Sequence, residues 1–111
     1  MQTMMASVAV YQVFIALADS TRRSLLEQIA AQPNGLTATQ LAHNASISRQ
    51  AIAKHLNILN DAGVIAREKA GREVRYKVAT SQIAATGRWM QRMAERWAEE
   101  PPNQNPAHER I

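Results

Sequence analysis

The sequence contains no cysteine, which excludes disulfides, thiolate nucleophiles and thiolate metal ligands together. Aromatic residues make up only 5% of the chain, so its tryptophans stand out wherever they fall. No apolar run approaches the roughly 20 residues needed to cross a bilayer, and no membrane partner is expected. The apolar stretch 8–18 ends in Ala16-Leu17-Ala18 and imitates a signal-peptide cleavage site. No Lys or Arg precedes it, and Tyr11 and Gln12 interrupt it, so we read it as a helix of the folded chain and expect a cytoplasmic protein. Acidic residues are sparse in one region. Residues 46–78 carry Arg49, Lys54, Arg67, Lys69, Arg72, Arg75 and Lys77 against Asp61, Glu68 and Glu73, a surplus equal to the +4 of the whole chain. A concentrated positive surplus favours a polyanionic partner.

What is present suits one domain. A chain of 111 residues, 46% of them hydrophobic, can build one modest core and no second one. The expected boundaries are 1–99 for the folded domain and 100–111 for a disordered tail, since Pro101-Pro102-Asn103-Gln104-Asn105-Pro106 has no periodicity.

The remaining residues are organised around 48–63, which reads as a capped helix. Ser48 is an N-cap, Ile47 and Ile52 form a staple across it, and Gly63 is the left-handed terminator. Ile52, Leu56, Leu59 and Ala62 recur at helical spacing as a burying stripe. The opposite side carries Gln50, Ala53, Lys54 and Asn57, with Arg49 at the first turn and no carboxylate before Asp61. Amides pair two ways with adenine, guanidinium with guanine, and ammonium with phosphate, so this face suits a DNA groove. Taken alone it suits a solvated surface equally well.

Before this helix, residues 5–18 read as a helix apolar nearly all round. Val10, Phe14 and Leu17 are expected to meet the core, which leaves Val8, Tyr11 and Ile15 for a second copy of the chain. Asp19-Ser20-Thr21 is a run of cap residues opening a helix over 22–31, with Leu25, Leu26 and Ile29 inward. Thr37-Ala38-Thr39-Gln40 matches a capping box, flanked by Leu36 and Leu41, and opens a third helix reaching about His43. Two short capped helices joined by a brief turn are the helix-turn-helix signature. After Gly63 the period changes to two. Val74, Tyr76 and Val78 alternate with Glu73, Arg75 and Lys77, and residues 64–69 pair with them across Ala70-Gly71-Arg72. Lys69, Arg72 and Arg75 form the basic tip of this hairpin, suited to phosphate contact or to guarding a strand edge. Ser81 caps a last helix to about Glu99 that carries Ile83, Trp89, Met90, Met93 and Trp97, a composition suited to an interface or to packing on the core.

The residues in order now resemble a known family. Ala16-Leu17-Ala18-Asp19-Ser20-Thr21-Arg22-Arg23, followed by Ser48-Arg49-Gln50-Ala51-Ile52-Ala53-Lys54-His55-Leu56 and Ala62-Gly63-Val64-Ile65, is similar to the ArsR family of bacterial winged-helix repressors over about residues 8–78. The resemblance implies a mostly α fold with a small β-hairpin, a winged helix-turn-helix of order α-α-α-α-β-β-α. It implies a homodimer paired through its first and last helices, binding double-stranded DNA at a palindromic operator. It places Thr37, Ser48, Arg49, Gln50, Ala53, Lys54, His55, Asn57, Lys69, Arg72 and Arg75 at the DNA, and Val8, Tyr11, Ile15, Trp89, Met90, Met93 and Trp97 at the dimer interface. Arg49, Gln50 and Ala53 stand where Gln, Pro and Ser or Thr are frequent in the family. Metal-sensing members carry a Cys-x-Cys pair where this chain has Thr37 and Thr39, and others use Asp and His on the last helix, which has neither. No metal and no cofactor is therefore expected, and the effector is open.

The function expected is a dimeric DNA-binding repressor. The alternative is a winged-helix module whose basic face meets an acidic partner protein. Enzymatic activity is not expected, because the only histidines are His43, His55 and His108, with no recognisable nucleophile or acid arranged beside them.

Overall fold

The computed structural model describes residues 2–99. Five helices and three strands follow in order: α1 (Gln2–Leu17), α2 (Ser20–Ala30), β1 (Leu36–Thr37), α3 (Ala38–Ala45), α4 (Arg49–Asp61), β2 (Ile65–Ala70), β3 (Glu73–Val78) and α5 (Ser81–Glu99). The expected tail and His108 lie outside the described residues. None of the described helices is long and apolar enough to cross a membrane.

Local chemistry explains the boundaries. The Asp19 carboxylate accepts from the Arg22 N–H at 3.0 Å and so caps α2. At α3 the capping box is complete in both directions, Gln40 N–H donating to Thr37 Oγ1 at 3.1 Å and Thr37 N–H to Gln40 Oε1 at 2.9 Å. Ser48 Oγ caps α4 by accepting from the Ala51 N–H at 3.1 Å. The other end of α4 closes as a Schellman motif: the Val64 N–H reaches Leu59 O and the Gly63 N–H reaches Asn60 O. Gly63 takes the left-handed φ of 76° that this closure requires. Leu59 and Val64 are both fully buried, supplying the apolar contact that accompanies the motif.

The core gathers Val13, Leu25, Ile29, Leu41, Ile52, Leu56, Leu59 and Val64, contributed by α1 to α4 and the entry to β2. The expected stripes of α2 and α4 are the ones that bury. The stripe of α1 is rotated: Val10, Val13 and Ala16 face inward, whereas Phe14 is on the exposed side and Leu17 is half-buried. Small Ala16, with no exposed surface, allows α1 to approach α2 and α4. Phe14 instead meets Trp89 of α5 edge to face, the ring centroids 5.9 Å apart.

The sheet has a strand that the sequence pattern did not announce. β1, two residues long, pairs antiparallel with β3, so the order is β1-β3-β2 and the hairpin is anchored on its inner side. Leu36, expected as a staple, is opposite Tyr76. Gly35 makes the approach possible. A Cβ there would come within 2.8 Å of Tyr76 O, and its φ is +81°.

Candidate nucleic-acid interface

The geometry of the site begins with α4. With Ile52, Leu56 and Leu59 at no exposed surface, the helix can turn only one way. Arg49, Gln50, Ala53, Lys54 and Asn57 are consequently exposed together, and so is Ser48 at the cap. The Ser48 oxygen is occupied by the Ala51 N–H, but its hydroxyl proton remains available as a donor. Thr37 is in the same condition at the start of α3, half-buried with its oxygen accepting from Gln40. The turn between α3 and α4 pivots on Ser46, the only non-glycine residue at positive φ among the described residues, at 56°.

His55 is half-buried at the edge of the stripe, and its Nδ1 lies 3.4 Å from an Arg22 guanidinium nitrogen. A guanidinium has no lone pair to offer, so Nδ1 accepts and the imidazole proton belongs on Nε2. The core-flanking hydrogen bond therefore leaves Nε2 as the donor nitrogen.

Arg22 is the residue that sequence reasoning missed as a junction. Its Nε donates to Ala16 O at 2.8 Å and a terminal nitrogen to Ile15 O at 2.9 Å, while Arg23 donates to Leu17 O at 2.7 Å. These are orphan carbonyls in the last turn of α1, which cations near a helix C-terminus satisfy. One arginine therefore ties α1, α2 and α4 together. The adjoining Asp19 carboxyl is held below the usual carboxylate range, chiefly by the Arg22 backbone N–H and further by the positive charge of Arg22, with desolvation opposing. A depressed folded-state pKa contributes stability above the unfolded carboxylate pKa and loses it as pH falls through the folded value. Asp19→Ala is expected to melt earlier than the parent at pH 7, with the gap narrowing below about pH 4; thermal melts across that range check it.

The wing divides its charges by face. Cross-strand partners share a side of the sheet, and β2 and β3 pair Ile65 with Val78, Arg67 with Tyr76 and Lys69 with Val74. Because Ile65, Tyr76 and Val78 belong to or pack on the core, Arg67 and Lys69 extend that same face outward. Glu68, Glu73, Arg75 and Lys77 take the other face, where Lys77 meets Glu68 at 3.1 Å and Arg75 meets Glu73 at 3.1 Å. Arg75, expected at the exposed tip, is half-buried and also reaches toward Gly35 O. Lys69 and Arg72 are exposed as expected. Arg67, which the sequence reading counted only as charge, donates to Asn57 Oδ1 and connects the wing to the α4 face. The alternation of β2 beside a helix ending at Gly63 was the signal for it.

The apolar residues expected at an interface separate into two groups. Val8, Tyr11 and Ile15 of α1 and Met90 and Trp97 of α5 are exposed, whereas Trp89 and Met93 are half-buried. His43 is exposed on α3. Among the described residues no three His, Cys, Asp or Glu side chains converge as metal ligands.

Known proteins share this arrangement. A family model described as a helix-turn-helix domain matches residues 17–68. The chain is 42% identical over 66 residues to the uncharacterized HTH-type transcriptional regulator YuzN of Bacillus subtilis, covering 54% of this chain and 71% of that one. It is 35% identical over 78 residues to the transcriptional repressor SdpR of the same organism, covering 70% of this chain and 84% of the other. Among solved structures, the ArsR-like transcriptional regulator from Rhodococcus sp. RHA1 superposes with a TM-score of 0.76 at 36% identity, over 83% of this chain and 85% of that one. These relatives are regulators of transcription and not enzymes. With a helix-turn-helix at its centre, a wing beside it and relatives of this kind along most of its length, the chain belongs to the ArsR-like family of winged-helix DNA-binding transcriptional regulators.

Proposed function

We propose that this chain acts in the bacterial cytoplasm as a homodimeric repressor that reads a palindromic operator, with one α4 in the major groove of each half-site. The observation that carries the reading is the two-sided α4: its apolar stripe is fully buried while Arg49, Gln50, Ala53, Lys54 and Asn57 form an exposed face free of carboxylates. Arg49 and Gln50, at the first turn, take the base edges, and Ala53 leaves room for the groove floor. Lys54, the hydroxyls of Thr37 and Ser48, and the Nε2–H of His55 take phosphates. Lys69 and Arg72 extend the contact along the flanking backbone, with Asn57 held by Arg67 between helix and wing. Arg75 joins them only by releasing Glu73.

The dimer is supported by the apolar residues that α1 and α5 leave in water. Trp97 is 61% exposed and Tyr11 64% exposed, an arrangement suited to a partner copy. Trp89 and Met93, both half-buried on α5, flank that surface. Trp97→Ala is expected to weaken the dimer by roughly thirtyfold, the scale of a tryptophan anchor. Operator affinity should fall with it through loss of two-site binding. Sedimentation equilibrium and anisotropy measured on the same preparation check both, and a dimer as tight as the parent would remove Trp97 from the interface.

The test of the whole reading is fluorescence anisotropy with duplex DNA taken from upstream of the protein's own operon, against a scrambled duplex. Preference for the native duplex by about 10³-fold or more is expected. Equal affinities would defeat sequence-specific binding.

A further inference from the structure

One side of α5 is not explained by DNA binding or by pairing of two chains. Arg88, Arg92 and Arg96 recur every four residues and form a single column, an arrangement in which like charges repel along the helix. No described carboxylate approaches any of the three within ion-pair distance. Glu95, the nearest acid in sequence, accepts a hydrogen bond from Gln91 instead, at 3.1 Å. A column that repels itself and forms no ion pair among the described side chains suits an anion from outside.

The column borders open space. Between α1 and α5 lies a cleft of about 370 Å³ whose walls include Val10, Gln82, Ala85, Arg88, Trp89 and Arg92. A second, open depression of about 410 Å³ is lined by Arg92, Met93, Glu95 and Arg96 of α5 alone. The first has the make-up of a small-molecule site, an apolar wall with a flat indole and a few convergent polar groups. Trp89 is half-buried and packs edge to face with Phe14 of α1, which restrains its ring beside the cleft. At 3.6 residues per turn, the arginine column stands roughly 150° around α5 from Met90 and Trp97. Two chains pairing through Met90 and Trp97 would therefore leave the arginine column uncovered.

We infer that the cleft between α1 and α5 binds a small organic anion with a flat apolar body, its carboxylate or comparable acidic head held by Arg88 and Arg92 and its body lying on Trp89. Guanidinium is suited to this task because its planar fork matches a carboxylate with two parallel hydrogen bonds. Gln82 also lines the cleft. The site touches α1 and α5 and no residue of the α4 face, so a ligand there acts on the pairing helices and not by competing for DNA. The inference does not depend on the identity of the operator.

Calorimetric titration of the full chain with 2-naphthoate and with 2-naphthamide tests it, since the two probes share a body and differ in charge. Saturable binding of one naphthoate per chain is expected, with the amide weaker by roughly tenfold or more, the scale of a charged hydrogen bond. Arg92→Gln changes an exposed side chain and should reduce naphthoate affinity by a similar factor while the melting temperature in the absence of ligand is retained. Equal binding of acid and amide would overturn the inference, as would no saturable binding or no effect of Arg92→Gln. A flatter salt dependence of DNA binding in Arg92→Gln would also overturn it, because the column would then be a phosphate contact. Operator affinity without either probe is a separate measurement, so failure here and failure of the DNA reading are distinguishable.

Discussion

Raising the salt concentration from 50 to 200 mM is expected to weaken operator binding by roughly 10³- to 10⁴-fold. The figure follows from counting cations that the fold leaves free to reach phosphate. Lys54 on α4 and Lys69 and Arg72 on the wing are exposed and have no carboxylate partner among the described residues. Arg49 is exposed at the start of α4, where it serves a base edge or a phosphate. Arg75 and Lys77 are discounted because Glu73 and Glu68 already neutralise them. Three or four contacts per protomer give about six to eight per dimer, and each releases close to one condensed counterion from B-DNA. Plotting the logarithm of the binding constant against that of salt concentration should yield a slope near −5 to −7. A slope close to zero would mean that the basic third of the chain does not meet phosphate, and the DNA reading would fall with it.

The second large effect concerns stability. Leu56 has no exposed surface and sits in the middle of the α4 stripe, in the cluster that contains Leu25, Ile29, Leu41, Ile52 and Leu59. Leu56→Ala removes three buried carbons and leaves a cavity that surrounding helices can fill only in part, which costs about 2 to 5 kcal/mol. In a small domain that is a large share of the total. Lys54→Ala, two residues earlier and on the exposed face, should change stability by less than about 0.5 kcal/mol. It should instead flatten the salt slope by about one unit per protomer. Urea melts and salt titrations of both variants separate the roles. Similar melting behaviour in the two would contradict the division of α4 into buried and outward faces.

Most helices were legible because their ends carry local chemistry. Asp19, Thr37 with Gln40, and Ser48 cap their helices through side-chain oxygens a few bonds away, so no distant residue has to be known. The stripe Ile52, Leu56 and Leu59 has one unambiguous direction to bury. In α1 the sequence is apolar nearly all round and periodicity cannot choose a face. Phe14 was expected inside, yet Ala16 takes the inner position because a small side chain brings α1 close to α2 and α4. β1 was illegible for a similar reason. Two residues have no period, and the strand exists because Gly35 lets the chain pass against β3.

The interface shows the same boundary. Which residues are cationic, and that they concentrate in 46–78, is a property of composition. Which of them remain free was decided partly within β3, where Arg75 meets Glu73 two residues away, and partly by tertiary contacts: strand register set Glu68 beside Lys77, and Arg67 reached Asn57. Arg22 belongs to this second class, since its partners lie on α1 and α4. Sequence alone thus determined the caps, the α4 faces and the charge surplus, because these depend on neighbours within a turn of helix. Only the packed structure decided the face of α1, the third strand, the junction at Arg22 and the partners of Arg67 and Lys77, because each depends on groups from different elements brought to one place.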